Sequence, residues 1–150
     1  MKSIKQQLHQ LCLVKLNENI RATENAIGEA RTAQKEKTKS SAGDKYETTR
    51  EMMTQEIEKH SIALAKLTDD KNRLLAITLN DEKEFVRQGS VIYTNHGNFY
   101  LAVSIGALTL DGIKYQTISS SSPIGQLMLN KKQGEGFKLN DKEYFITEIL

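Results

Sequence analysis

Lys39-Ser-Ser-Ala-Gly-Asp44 is the stretch on which the fold turns, because it separates two segments that carry the same apolar stepping. Upstream, Leu13, Leu16, Ile20, Thr23, Ile27 and Ala30 advance by three and four residues, the spacing of a coiled-coil seam. Downstream, Met53, Ile57, His60, Leu64, Leu67, Lys71 and Leu74 repeat it, predicting a second helix that ends near Leu79-Asn80. Gly43 and the small residues beside it supply a tight reversal, so the two helices are expected to fold back as an antiparallel coiled-coil hairpin. Asp44 is placed to cap the second helix. Each arm has about 35 residues, which at a rise of ~1.5 Å per residue gives a length on the order of 50 Å. Near the turn the seam positions become Gln34 and Lys37, so the apolar content fades towards a tip suited to exposure.

Beyond residue 80 the pattern changes. The first eighty residues hold no Pro and only Gly28 and Gly43, whereas Pro123 and the other glycines lie later. Ser90–Thr94, Phe99–Ser104, Lys114–Ile118 and Glu143–Ile149 are β-branched and aromatic runs bounded by Gly, Asn or Asp, and they read as strands. Asn95-His-Gly-Asn98 and Asn140-Asp141 read as hairpin turns. Ser122 as cap and Pro123 at the first position start a short helix over Ile124 to Leu129. The expected class is α+β, with a hairpin over residues 1–80 whose acidic tip lies near 43–47, and a small sheet domain with one short helix over 85–150.

Composition bounds the function. The chain is 38% hydrophobic and 27% charged, as expected of a folded, soluble protein. Its net charge of +2 arises from 21 Lys and Arg against 19 Asp and Glu, too near balance for binding driven by phosphate neutralisation. Contact with RNA or DNA is therefore expected only through a partner. No apolar run is long enough for a bilayer, and Lys, Gln and His interrupt the first sixteen residues, so no signal peptide is expected and the cytoplasm is the expected compartment. Cys12 alone cannot form an internal disulfide and reads as a packing residue. His9, His60 and His96 have no spacing that suggests a metal site or a nucleophilic triad, and no independent hydrolase is visible.

Asp44 and Glu47 are the pair to which chemistry can be assigned. Three residues apart at a turn-to-helix junction, their carboxylates can leave one face of the first helical turn and share a hard cation. Magnesium favours oxygen ligands in octahedral geometry, so an exposed pair would need further ligands from a partner. The same spacing fits a capping Asp followed by a Glu at the capping-box position, both favoured by the helix dipole. Lys35, Lys37, Lys39 and Lys45 could steer the tip towards RNA or an acidic channel, or simply solvate a helix end.

Gly43-Asp-Lys-Tyr-Glu47, Glu29-Ala-Arg31 and Ile118-Ser-Ser-Ser-Ser-Pro-Ile-Gly-Gln-Leu-Met-Leu-Asn-Lys131, with Gly134-Glu135 after it, together resemble the GreA/GreB family of bacterial transcript cleavage factors. That family carries Gly-Asp-Leu-Lys-Glu at its tip and Ile-Ser-x-x-Ser-Pro-Ile-x-x-x-Leu-Ile-Gly-Lys in its second domain. The resemblance spans nearly the whole chain and implies a helical hairpin followed by an FKBP-like domain. It implies RNA polymerase as partner and hairpin insertion through the secondary channel. Asp44 and Glu47 would then help to hold a catalytic Mg2+ in the polymerase active site, where backtracked RNA is hydrolysed. The protein would be no enzyme itself but a monomeric stimulator of the polymerase, and Ser122, Pro123 and Ile124 would lie in the polymerase-binding segment. The chain departs from the family in having Thr48 where an Asn follows the tip Glu, and in a longer path from Glu29-Ala-Arg31 to the tip. These differences leave open a channel-binding regulator that inhibits or retunes the polymerase without stimulating cleavage. A coiled-coil adaptor or a prolyl isomerase is a third reading, the latter poorly served by a chain with no Trp and four Phe.

Overall fold

The computed structural model describes every residue except 41–43, and the side chains of every residue except 37–46. The expected reversal at Gly43 therefore lies outside the described residues. The chain is α+β: a helical hairpin, then a six-stranded sheet with one short helix. Helix α1 spans Ile4–Ser40 and α2 spans Asp44–Ala76. The start of α1 is fixed by a capping box, in which the Gln6 backbone N–H donates to Ser3 Oγ at 3.2 Å and the Ser3 N–H donates to Gln6 Oε1 at 2.9 Å.

The heptad reading of α2 is matched by its burial. Met53, Ile57, His60, Leu64, Leu67 and Lys71 are half-buried and Leu74 is buried, while most residues between them are exposed. In α1, Leu16, Ile27 and Ala30 are buried and Leu13, Ile20 and Thr23 are half-buried. The second helix ends at Ala76, before the expected Leu79-Asn80. Its last turn tightens, with Ile77 N–H donating to the Leu74 carbonyl at 3.2 Å. Ile77 and Leu79 then close over Gly89, where an added Cβ would lie 3.0 Å from each side chain. Gly89 also has a φ of 89°, so no other residue fits there without strain.

Packing divides the chain into two compact units, residues 16–71 and residues 1–15 with 72–150. The first is the two-helix seam. Near its polar end, Gln34 Nε2 donates to Thr54 Oγ1 at 3.1 Å, linking α1 to α2.

The second unit holds the sheet. Its strands are β1 (Val91–Thr94), β2 (Gly97–Ala102), β3 (Ala107–Leu110), β4 (Ile113–Ser119), β5 (Gly136–Leu139) and β6 (Lys142–Ile149), with α3 (Pro123–Met128) between β4 and β5. The order is β3-β4-β2-β1-β6-β5, and only β2 with β4 is parallel among the neighbouring pairs. Strands β3 and β5 add to the four expected. Each is joined to its neighbour by a two-residue turn with both residues at positive φ, Asp111-Gly112 (52° and 78°) and Asn140-Asp141 (50° and 64°). That is the twist-matched turn of a tight hairpin.

Strand alternation gives the sheet two apolar faces. Ile92, Phe99, Leu101, Ile118 and Ile146 join Val86, Met128 and Ile149 in one buried cluster, against which Ile124, Leu129, Phe137 and Tyr144 pack. Val91, Tyr100, Leu108 and Tyr115 take the alternate positions and are buried on the other face. The first turns of α1 meet this second face, where His9 Nδ1 lies 3.0 Å from the fully buried Tyr100 hydroxyl, with Leu8 and Cys12 buried beside it.

Candidate functional site

Helix α2 begins at Asp44, so Asp44 and Glu47 stand in the first turn of the second helix. Glu47 occupies the first turn and is exposed. Its charge lies where the unpaired N–H groups of a helix start favour an anion. The Asp44 side chain lies outside the described residues, as do those of Lys37, Lys39 and Lys45. Residues three apart on a helix share a face. Hard carboxylate oxygens suit Mg2+, but two carboxylates fill only part of an octahedral shell, so further ligands must come from elsewhere. Among the described residues no group of three or more His, Cys, Asp or Glu is arranged to hold a metal.

Ser122, Pro123 and Ile124 open α3 and do three different things. The Ser122 hydroxyl accepts from Gly125 N–H at 3.1 Å and donates to the Ser119 carbonyl at 2.7 Å, capping the helix and closing the preceding turn. Pro123 is exposed at the first helical position, where its missing N–H costs no helical bond. Ile124 is half-buried and packs on the core. Gly125 has no freedom to vary, since a Cβ there would lie 2.0 Å from the Ser119 carbonyl oxygen. The serine run is internally bonded as well: Ser119 Oγ and Ser121 Oγ are 3.1 Å apart, and Gln88 Nε2 donates to Ser120 Oγ at 2.6 Å. Of the three residues expected to contact a partner, Pro123 is the one presented to solvent.

A cation-aromatic cluster borders the chain that follows α3. The Arg87 guanidinium and the Lys132 ammonium lie 5.0 and 4.9 Å from the centroid of the half-buried Phe85 ring. Arg87 Nη1 also donates to Asn130 Oδ1, and the Val86 and Asn130 backbones bond to each other, so residues 85–87 and 130–132 form one platform. Nothing local in the sequence indicates it, because its halves lie some forty residues apart.

Where the ordinary pKa of a side chain is clearly displaced, burial and hydrogen bonding account for it. Burial lowers the His9 pKa and pushes the Cys12 thiol up to about 12, so Cys12 carries almost no thiolate at neutral pH. Burial likewise raises Tyr100 and Tyr93, the latter helped by its hydroxyl contact with Tyr115 at 3.1 Å. Backbone N–H donation from Glu84 and Phe85 holds the Glu82 carboxyl below its ordinary value. The histidines sit apart. His60 is a seam residue 3.4 Å from Glu56, and His96 occupies the β1–β2 turn, edge-on to Tyr144 at 5.3 Å. No helix is long and apolar enough among the described residues to cross a membrane. Comparison with protein-family models, curated proteins and solved structures gives no match.

Proposed function

We propose that this chain binds RNA polymerase, inserts its helical hairpin into the secondary channel and promotes Mg2+-dependent cleavage of backtracked RNA. The observation that carries the reading is the start of α2 at Asp44 with Glu47 exposed in its first turn. The acidic pair thus lies in the first turn of α2, at the end of the helix where the seam positions turn polar. The order of hairpin, sheet and short helix agrees with the resemblance of the tip and of the Ser122-Pro-Ile124 segment to the GreA/GreB family. In a two-metal hydrolysis the polymerase would supply most of the ligands, while Asp44 and Glu47 would help to hold the second ion and orient water. The chain's own contribution is delivery of two carboxylates at the start of a long helix.

Backtracked elongation complexes with bacterial polymerase and Mg2+ test this directly. The wild-type protein is expected to shorten the transcript from its 3′ end, and Asp44→Ala with Glu47→Ala to reduce that rate at least ~100-fold, the scale of losing groups that stabilise a transition state. Transcript shortening that survives the double substitution would refute the mechanism. Polymerase binding that inhibits initiation without cleavage would instead support the regulator reading, to which Thr48 points.

A further inference from the structure

We propose that the Gln34–Thr54 hydrogen bond is a clamp that holds α1 and α2 together where their apolar seam stops, making Gln34 and Thr54 positioning residues for the acidic tip. The last buried apolar seam residue of α1 is Ala30, and the next seam positions are Gln34 and Lys37. On α2 the half-buried Met53 is the seam residue nearest the turn in the heptad series. Among the described residues beyond that level no large apolar group is buried, and apolar contact would in any case fix orientation poorly because it is non-directional.

The Thr54 hydroxyl is arranged to accept. Its proton goes to the Arg50 carbonyl of its own helix at 2.8 Å, which leaves its lone pairs for Gln34 Nε2 at 3.1 Å. The acceptor is therefore fixed to the α2 backbone, and the donor reaches it from a half-buried seam position of α1. A directional polar contact at a seam is a known means of fixing how two helices pair. Here it sits between the last buried apolar layer among the described residues and the start of α2, which carries Asp44 and Glu47.

The positioning role rests on the proposed function of the tip, but the clamp itself can be tested without it. Thr54→Val removes the hydroxyl at nearly constant volume and helix propensity, Thr54→Ser retains it, and Gln34→Ala removes the donor. In the full-length protein, amide hydrogen exchange in residues 31–40 and 44–53 is expected to quicken about three- to fivefold in Thr54→Val and in Gln34→Ala, the loss of one ordinary hydrogen bond. The double variant should be no faster than either single one, Thr54→Ser should stay near wild type, and residues 60–70 should not change. Wild-type exchange in Thr54→Val, additive effects, failure of the Ser variant to retain protection, or equal quickening of residues 60–70 would each overturn the clamp.

A cleavage assay tests the second half. Thr54→Val is expected to lower the maximal cleavage rate while leaving unchanged the protein concentration that gives half of it, and Thr54→Ser to restore the rate. An unaltered maximal rate in Thr54→Val would overturn the positioning role. Absence of cleavage with the wild-type protein would count against the proposed function instead, and the exchange result would still decide the clamp.

Discussion

His9 lies where the first turns of α1 meet the sheet, and its position sets the sign of one pH effect. Its Nδ1 faces the hydroxyl of Tyr100, a residue with no exposed surface, and burial disfavours the imidazolium. The folded-state pKa is thus below the ordinary 6.5, and the unfolded chain takes up the proton first. The stabilisation is fully present above that value and is lost as pH falls through it towards the folded pKa. Urea midpoints measured from about pH 7.5 down to about 5.5 should decline, and His9→Gln should flatten that decline. An identical decline in the variant would show that another group is responsible. At this scale the sequence reading identified Ser122 as the cap of α3 but missed Ser3 as the cap of α1. It also had no means of pairing His9 with Tyr100, ninety-one positions away.

Among elements, the long helices were the most legible. A seam stepping by three and four residues is a local property, and the half-buried positions described in α2, Thr49 and Asp70 apart, fall on the residues that stepping selects. Gly28 departs from this economy: it sits within α1 and an added Cβ would meet nothing within 4 Å. Gly28→Ala should therefore stabilise the hairpin by about 1 kcal/mol, the difference in helix propensity. A higher urea midpoint for the helical signal would be the readout, and a lower one would mean that the glycine serves a close contact. The end of α2 was less legible, because Ile77 and Leu79 leave the helix to cover Gly89, a contact no helical period contains. Strands β3 and β5 escaped the sequence reading because Ala-Leu-Thr-Leu and Gly-Phe-Lys-Leu lack long β-branched runs. Asp111-Gly112 was the signal that could have found the first of them.

At the scale of the whole molecule, composition changes near residue 80, yet the first fifteen residues and those from Asn72 onward pack with the sheet. Leu8, Cys12 and Leu74 are fully buried within that unit. A fragment of residues 85–150 should consequently expose the Val91, Tyr100 and Leu108 face, bind a hydrophobic dye and unfold with low cooperativity. Residues 1–15 joined to 72–150 through a short Gly-rich loop should keep a cooperative transition. A cooperative, non-dye-binding 85–150 fragment would show that the helical segments are dispensable to the sheet.

The candidate site divides along the same line. Asp44, Glu47 and Ser122 could be singled out from turn chemistry and short spacings alone, since a cap or a carboxylate pair needs only neighbours within one helical turn. The Phe85, Arg87, Asn130 and Lys132 platform, the Gln34–Thr54 link and the internal bonding of the serine run could not. Sequence by itself determined the two helices, the α+β class and four of the strands, because periodicity and turn preferences act over a few residues. Tertiary structure alone decided that β2 lies parallel to β4, that the first turns of α1 meet the sheet at Tyr100, and which polar groups meet across the hairpin. These pairings join residues far apart in the chain, and burial and hydrogen-bond geometry select them only once the elements have packed.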